Sequence, residues 1–249
     1  MSKTAVFYPL KPKGGQWGRN YELLYSLRSI DRFLEDDDYE VFIGTRKLPA
    51  WIDSVKVRYV QAPGYVDCLK SAAKLTTQGF DRILWMNDDN YLAAPVSPSG
   101  PELMTALHTG PLKSREAPIK NGWCRKRQKL RNWLVEQGIE PPIDFSTHSP
   151  YLYETGKFAQ CLERLKSQSL LRYKIAVEVA YFNLYLGDRP TRRAAATRLS
   201  FPKPQTPPLF IPPQKWWMNF QAHRIQEPAV RGWLSGLFPN PSRFELPRA

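Results

Sequence analysis

A chain of 249 residues with 42% hydrophobic and 13% aromatic content carries enough apolar surface for a substantial core, which excludes a disordered chain and favours one large domain with appendages. Lys and Arg outnumber Asp and Glu by 36 to 23, a formal charge of +13 that favours an extended polyanion such as nucleic acid, with membrane headgroups a weaker option. No stretch is apolar enough to cross a bilayer, no charged-then-apolar leader opens the chain, and Cys68, Cys124 and Cys161 form neither a CxxC pair nor a zinc cluster, so the expectation is a soluble cytoplasmic protein with reduced thiols and no membrane partner.

Residues 4–10, TAVFYPL, read as a strand ending near Pro9, followed by a Gly- and Lys-rich loop. Leu23, Leu24, Leu27, Ile30, Phe33 and Leu34 fall on one helical stripe, which predicts a helix from Tyr21 to Leu34. Strands follow at Tyr39–Ile43 and Val55–Val60, then a helix from Val66 to Thr76, then the apolar strand Ile83–Met86. This β, α, β, β, α, β order predicts an α/β fold with a mostly parallel sheet and helices on both faces, in which ligands bind beyond the carboxyl ends of the strands.

The segment ILWMNDDNYL at 83–92 places Asn87, Asp88, Asp89 and Asn90 at such an end. Adjacent carboxylates there repel one another unless a cation or strong donors compensate, and a hard divalent ion is the usual compensator. A metal-held diphosphate is one reading; a simple Asx-rich turn is the other.

Further along, residues 95–101 are turn-rich, and Lys113 to Arg131 is the densest positive stretch. Lys113, Lys120, Arg125, Lys126, Arg127 and Arg131 there are candidate phosphate contacts, with Trp123 and Trp133 available for base stacking. Helical patterns recur at Lys157–Lys166 and Lys174–Leu186, the second interrupted by Glu178. Residues 201–214 are too proline-dense for regular helix or central strand and read as extended, while Trp216, Trp217, Phe220, Trp233, Leu237 and Phe238 predict that the C-terminal part packs back on the core. The division expected is a domain over 1–200, with halves 1–95 and 96–200, and an extended segment over 201–249.

Four segments in order resemble the GT-A type nucleotide-sugar glycosyltransferases of bacterial viruses and the related Stealth-like capsule enzymes: NYELLYSLRSI at 20–30, WMNDDNYL at 85–92, FSTHSPYLYETGKF at 145–158 and LFPNPSRFE at 237–245. They cover under a quarter of the chain. The resemblance implies a GT-A fold, a divalent metal (manganese or magnesium), a donor of the UDP-glucose kind and, for a phage protein, the host cytoplasm. Matched to the family motif, Asp89 is the metal-binding Asp, Asn87 stands where a full Asp-x-Asp has its first Asp, and Asp88 faces ribose or sugar hydroxyls. His148 is a further metal or diphosphate contact.

Donor contacts are expected from Tyr8, Pro9 and Leu10 around the base, from Arg19 and Arg28 on phosphates, from Gly44, Thr45 and Arg46 at the end of the second strand, and from Lys70 and Lys74 on the diphosphate. The loop at Gly14 and Gly15 lacks GKS or GKT, so it is not a Walker A motif. Asp144 and Glu178 are the candidate acids for the acceptor proton. Charge favours a 5-hydroxymethyl pyrimidine in DNA as acceptor; a saccharide acceptor and a non-catalytic nucleic-acid binder are the alternatives.

Overall fold

The computed structural model describes residues 2–10, 20–35, 38–113, 122–171, 176–199, 211, 212, 214–220, 225 and 227–247, except for the side chains of residues 122–124 and 176. Arg19, Lys120, the Gly14–Gly15 loop and nearly all of the proline-rich stretch therefore lie outside the described residues, as does the side chain of Trp123. The elements run β1 (Thr4–Pro9), α1 (Tyr21–Phe33), β2 (Tyr39–Thr45), β3 (Arg58–Gln61), α2 (Tyr65–Ala73), β4 (Arg82–Trp85), β5 (Asn90–Leu92), α3 (Pro101–Met104), β6 (Ala106–His108) and β7 (Gly110–Pro111). They continue with α4 (Gly122–Glu136), β8 (Ile143–Asp144), β9 (Tyr151–Glu154), α5 (Thr155–Ser167), α6 (Ala176–Tyr185), β10 (Thr191–Arg193), α7 (Ala194–Thr197), β11 (Arg198–Leu199), β12 (Trp217–Asn219) and α8 (Pro228–Leu237).

Five strands form the main sheet in the order β3-β2-β1-β4-β9, the first four parallel and β9 antiparallel to β4. Strand period sorts the side chains into two cores. Phe7, Phe42, Ile83, Trp85, Tyr151 and Tyr153 face a layer built with residues of α2, α4, α5 and α6, while Val6, Tyr8, Val41, Ile43, Leu84 and Leu152 face Leu23, Leu27 and Ile30 of α1. The expected mostly parallel sheet flanked by helices on both faces is what these residues build.

Boundaries differ where local hydrogen bonding overrides the pattern. The third strand starts only at Arg58, because Lys56 N–H turns back to the Asp53 carbonyl at 3.1 Å. The helix expected to reach Thr76 stops at Ala73 and tightens into a 3-10 turn, Lys74–Gln78, closed by Gly79 at φ +80°.

The C-terminal part does pack back, with Trp216, Trp217, Phe220 and Phe238 all buried. It is more than extended chain. Trp217–Asn219 forms a strand antiparallel to β5, Arg198–Leu199 adds a third strand parallel to it, and Pro228 opens a ten-residue helix whose Val230 and Leu234 are buried. No helix among the described residues is long and apolar enough to cross a membrane.

Candidate functional site

Strands β1, β2 and β4 end together, as the pairings Pro9 with Gly44 and Phe7 with Trp85 require. Met86 N–H still bonds to the Phe7 carbonyl at 3.0 Å, and the chain then turns through Asn87, Asp88 and Asp89, closed by a 3.0 Å bond from Asn90 N–H to the Asn87 carbonyl. Asp88 and Asp89 thus lie in a tight turn at the sheet edge, both partly buried. From the other side, β9 runs antiparallel with Tyr151 opposite Trp85, so the residues just before it return to the same edge. His148 Nδ1 lies 3.7 Å from Asp89 Oδ1, although the two are far apart in sequence.

His148 holds a left-handed backbone at φ +57°, a conformation costing a side-chain-bearing residue about 1 kcal/mol or more. What holds it is Tyr151: its hydroxyl accepts the Thr147 N–H at 3.0 Å and the His148 N–H at 2.9 Å. The imidazole stays 55% exposed while the Asp89 side chain is only 18% exposed, so the pair opens outward on the histidine side.

Helix α1 fixes the aspartate turn from beneath. The Ser26 hydroxyl donates to the Asn90 carbonyl and pairs with the Tyr8 hydroxyl at 2.9 Å, and Ser29 Oγ accepts the Leu92 N–H at 3.0 Å. Tyr8 was expected at a nucleobase. It is instead wholly enclosed, its hydroxyl on Ser26 and its pKa raised by burial, and Pro9 and Leu10 are buried beside it. These three residues shape the edge from within.

Other expected contacts have structural duties. Arg28 makes a bidentate pair with Glu245, both bonds 2.7 Å, and donates to the Phe238 carbonyl at 3.0 Å, so it joins the first and last of the four resembling segments and is unavailable to a phosphate. Gly44 is a packing glycine: a Cβ there would come within 2.7 Å of Cys68 Sγ. Thr45 is buried, its hydroxyl donating to the Lys47 carbonyl, while Arg46 is exposed. Lys74 sits at the wrong end, because α2 starts where β3 finishes and runs back along the sheet, about 13 Å for nine residues. Lys70 is exposed on the same helix.

The two candidate acids separate clearly. Asp144 accepts from Arg127, from the Ser146 hydroxyl and from the Ser146 N–H; burial alone raises its pKa, but these bonds outweigh it and hold the carboxyl below its ordinary value. That bond also commits Arg127, expected on a nucleic-acid face, to anchoring α4. Lys113, Arg125 and Lys126 are exposed and Arg131 is partly so, whereas Trp133 is 6% exposed in the core and cannot stack on a base.

Glu178, on α6, pairs with no other described side chain; its carboxyl takes a hydrogen bond from its own backbone N–H. It is close enough to Tyr65, Tyr151 and Tyr153 to act on all three hydroxyls, and burial pushes its carboxyl up to about 8. Only part of the side chain reaches solvent. An acid so placed beneath the His148 segment exchanges a proton near neutral pH, which the saturated Asp144 does not.

A divalent ion fits this edge in one manner. Among the described residues no group of three or more His, Cys, Asp or Glu makes a ready cage. Asp89 with His148 supplies two ligands of the kind that hold an ion whose remaining positions go to phosphate oxygens. Sequence reading missed Arg198, which β11 and β12 carry beside β5, close enough for the Asp89 charge to act on it. Its only local signal is a basic residue ahead of the proline-rich stretch. Protein-family models give no match to the chain, and a search of curated proteins gives none either.

Proposed function

We propose that the chain is a nucleotide-sugar glycosyltransferase of GT-A type. The observation that carries this reading is the convergence of Asp89 and His148, 3.7 Å apart, where the parallel strands end. Asp89 and His148 would hold a divalent ion with the donor diphosphate, and such an ion offsets the charge that builds on the leaving phosphate. Asp88, on the same turn, would meet donor hydroxyls. Tyr151 orients His148 through two backbone bonds, and Ser26 keeps the aspartate turn seated. Glu178 is the carboxyl open to taking the acceptor proton, and it does so increasingly as pH rises toward about 8.

For the acceptor we favour a hydroxymethylated pyrimidine in DNA. The support is the +13 charge and the exposed Arg125 and Lys126 on α4, the helix that Arg127 ties to Asp144. The test incubates the protein with manganese, a panel of UDP-sugars, and either hydroxymethylated DNA or an oligosaccharide, and reads the products by mass spectrometry. Sugar-bearing nucleosides that disappear with Asp89→Asn support the whole reading, while transfer to the oligosaccharide alone overturns the DNA acceptor. No transfer from any donor, with DNA binding retained and indifferent to Asp89→Asn, would leave a non-catalytic nucleic-acid binder.

A further inference from the structure

We propose that a cavity between α3, β10 and the entry to β12 holds one unstacked nucleobase of a nucleic-acid strand, read as cytosine or guanine by Glu102 and Arg192. This rests on the nucleic-acid reading for the class of partner and goes beyond it in naming the base.

Three stretches of chain converge on the cavity, whose volume is about 200 Å³. Helix α3 leads through Thr105 into β6, β6 pairs in parallel with β10 so that Arg192 lies opposite Leu107, and the Trp216 carbonyl accepts the Ala93 N–H at 2.8 Å. Lys215 pins the same corner by donating to the Ala195 and Ala196 carbonyls at 2.8 and 3.0 Å. Pro95, Pro101 and Trp216 supply apolar wall, and Glu102, Arg192 and Gln214 supply polar wall. Pockets that enclose a drug-sized ligand run to about 300–1,000 Å³, so this one admits a single ring and not a whole nucleotide sugar.

The polar groups around it are of two kinds. Thr105 Oγ1 donates to the Pro101 carbonyl at 2.5 Å, while Thr197 Oγ1 donates to the Ala194 carbonyl at 3.2 Å and accepts the Trp217 indole N–H at 3.1 Å, so both hydroxyls are spent within the fold. Glu102, Arg192 and Gln214 make no hydrogen bond or ion pair among the described residues; a carboxylate and a guanidinium line one small cavity without meeting. Arg192 repels a cation there and Glu102 repels an anion. The ligand that satisfies both is neutral, with amino hydrogens for the carboxylate and two neighbouring acceptors for the guanidinium fork. Cytosine, with its amino group beside N3 and O2, and guanine, with its amino group and the O6/N7 pair, carry both; thymine has no amino group and adenine no pair of adjacent acceptors.

Charge at the mouth favours a polynucleotide over a sugar ring, which the same walls would also hydrogen-bond. All three residues of β10 are exposed, and strand alternation turns Arg193 to the face away from Arg192. Arg193 lies opposite His108, whose ring stands 6.3 Å from that of Phe145, next in sequence to the Asp144 that Arg127 holds. It therefore stands between the cavity and the exposed cations of α4, where a phosphate backbone crossing from one to the other would pass. Ala94, at the cavity, is five residues past Asp89, a span of at most about 18 Å, so a strand held here is also within reach of the aspartate turn.

Saturation-transfer NMR of the full chain in EDTA, with free deoxynucleosides and methyl glucoside, tests the cavity itself, and fluorescence anisotropy with oligodeoxycytidylate and oligothymidylate tests it in a strand. Deoxycytidine and deoxyguanosine are expected to bind, thymidine and deoxyadenosine not, and Glu102→Met and Arg192→Met should each remove the signal. Neither side chain is fully buried, so Tm should hold in both variants. Oligodeoxycytidylate should bind about tenfold tighter than oligothymidylate, the discrimination expected of one bidentate base contact. Glu102→Met should bring that ratio to about one without weakening oligothymidylate, because it removes a negative charge, and Arg193→Met should weaken both oligonucleotides alike.

A wild-type ratio near one, or a preference that survives Glu102→Met, overturns the subsite, as does methyl glucoside bound through Glu102 with no nucleoside bound. Sugar transfer to hydroxymethylated DNA would in that event leave the DNA acceptor standing. Base-selective binding that depends on Glu102, with no transfer to DNA from any donor, keeps the subsite and removes the DNA acceptor.

Discussion

Two of the contacts that join distant parts of this chain, Arg28 with Glu245 and Asp89 with His148, are built in contrasting ways. Arg28 and Glu245 bury their side chains to 5% and 7% exposure, and the pair is further saturated by the Phe238 carbonyl on one side and the Ser242 N–H on the other. Asp89 and His148 approach no closer than 3.7 Å, with the imidazole half in solvent. Burial and distance separate the two pairs. A buried pair with all its bonds made has nothing left for a ligand, whereas a longer contact whose imidazole is half in solvent leaves that imidazole within a ligand's reach.

The contrast breaks most visibly at Asp89. Asp89→Asn preserves shape and should lower transfer about a hundredfold or more while Tm stays within a degree or two of wild type, as thermal melting and product formation together report. Glu245→Ala should do the reverse. It strands a buried guanidinium, a loss of about 3–5 kcal/mol, and should lower Tm by about 10 °C with manganese-dependent UDP binding intact in the folded fraction.

Acid probes the same lock. Burial pushes the Glu245 carboxyl up, but its bonds from Arg28 and Ser242 outweigh that and hold it below its ordinary value. Its contribution is therefore present above the unfolded-chain pKa and is lost as pH falls through the lower folded value. Melting below pH 4 should accordingly narrow the gap between wild type and Glu245→Ala.

Local pattern made much of the frame legible. The α1 stripe, the buried β1 and the aspartates at the end of β4 are all written in neighbouring residues, and so is the aromatic weight of the C-terminal part. Pairings across the chain are not. The bond from Arg28 to Glu245 spans 217 positions, and nothing near either residue says that the arginine is committed while Arg198 is not. Arg127 likewise reads as one more cation in a basic run until Asp144 is seen against it. Trp133 reads as a stacking platform, yet its place on α4 turns it inward. The strand β12 was hidden because three residues, Trp217 to Asn219, are too few to show a period, and only β5 gives them a partner.

Glu178 sharpens the comparison from a third direction, as a buried acid with no saturating partner. Its pKa stands near 8 instead of 4.5, so between those values the folded carboxyl is neutral where the unfolded chain is ionised. Stability on this account is full below the unfolded value and declines as pH rises to the folded one, by on the order of 1 kcal/mol per pH unit, less what its partial contact with solvent recovers. Glu178→Gln is neutral throughout. Its Tm advantage over wild type should be nil at pH 4, grow to several degrees by pH 8 and level off beyond. A constant advantage across that range would mean that the carboxyl is not enclosed as described.

The smallest effect belongs to the pairs on the surface. Glu40 bonds Lys3 at 2.6 Å and Arg58 at 2.8 Å, distances as short as those of the Arg28 lock. Yet Arg58 is 69% exposed, and water competes for every bond it makes. Arg58→Ala should cost under about 1 kcal/mol, a shift of about 2 °C or less, and the difference should fade as ~0.5 M salt screens the charges. Length of a salt bridge is thus a poor guide to what it does. If Arg58→Ala were to destabilise the fold as far as Glu245→Ala, burial and saturation would not be what separates the lock from the surface pairs.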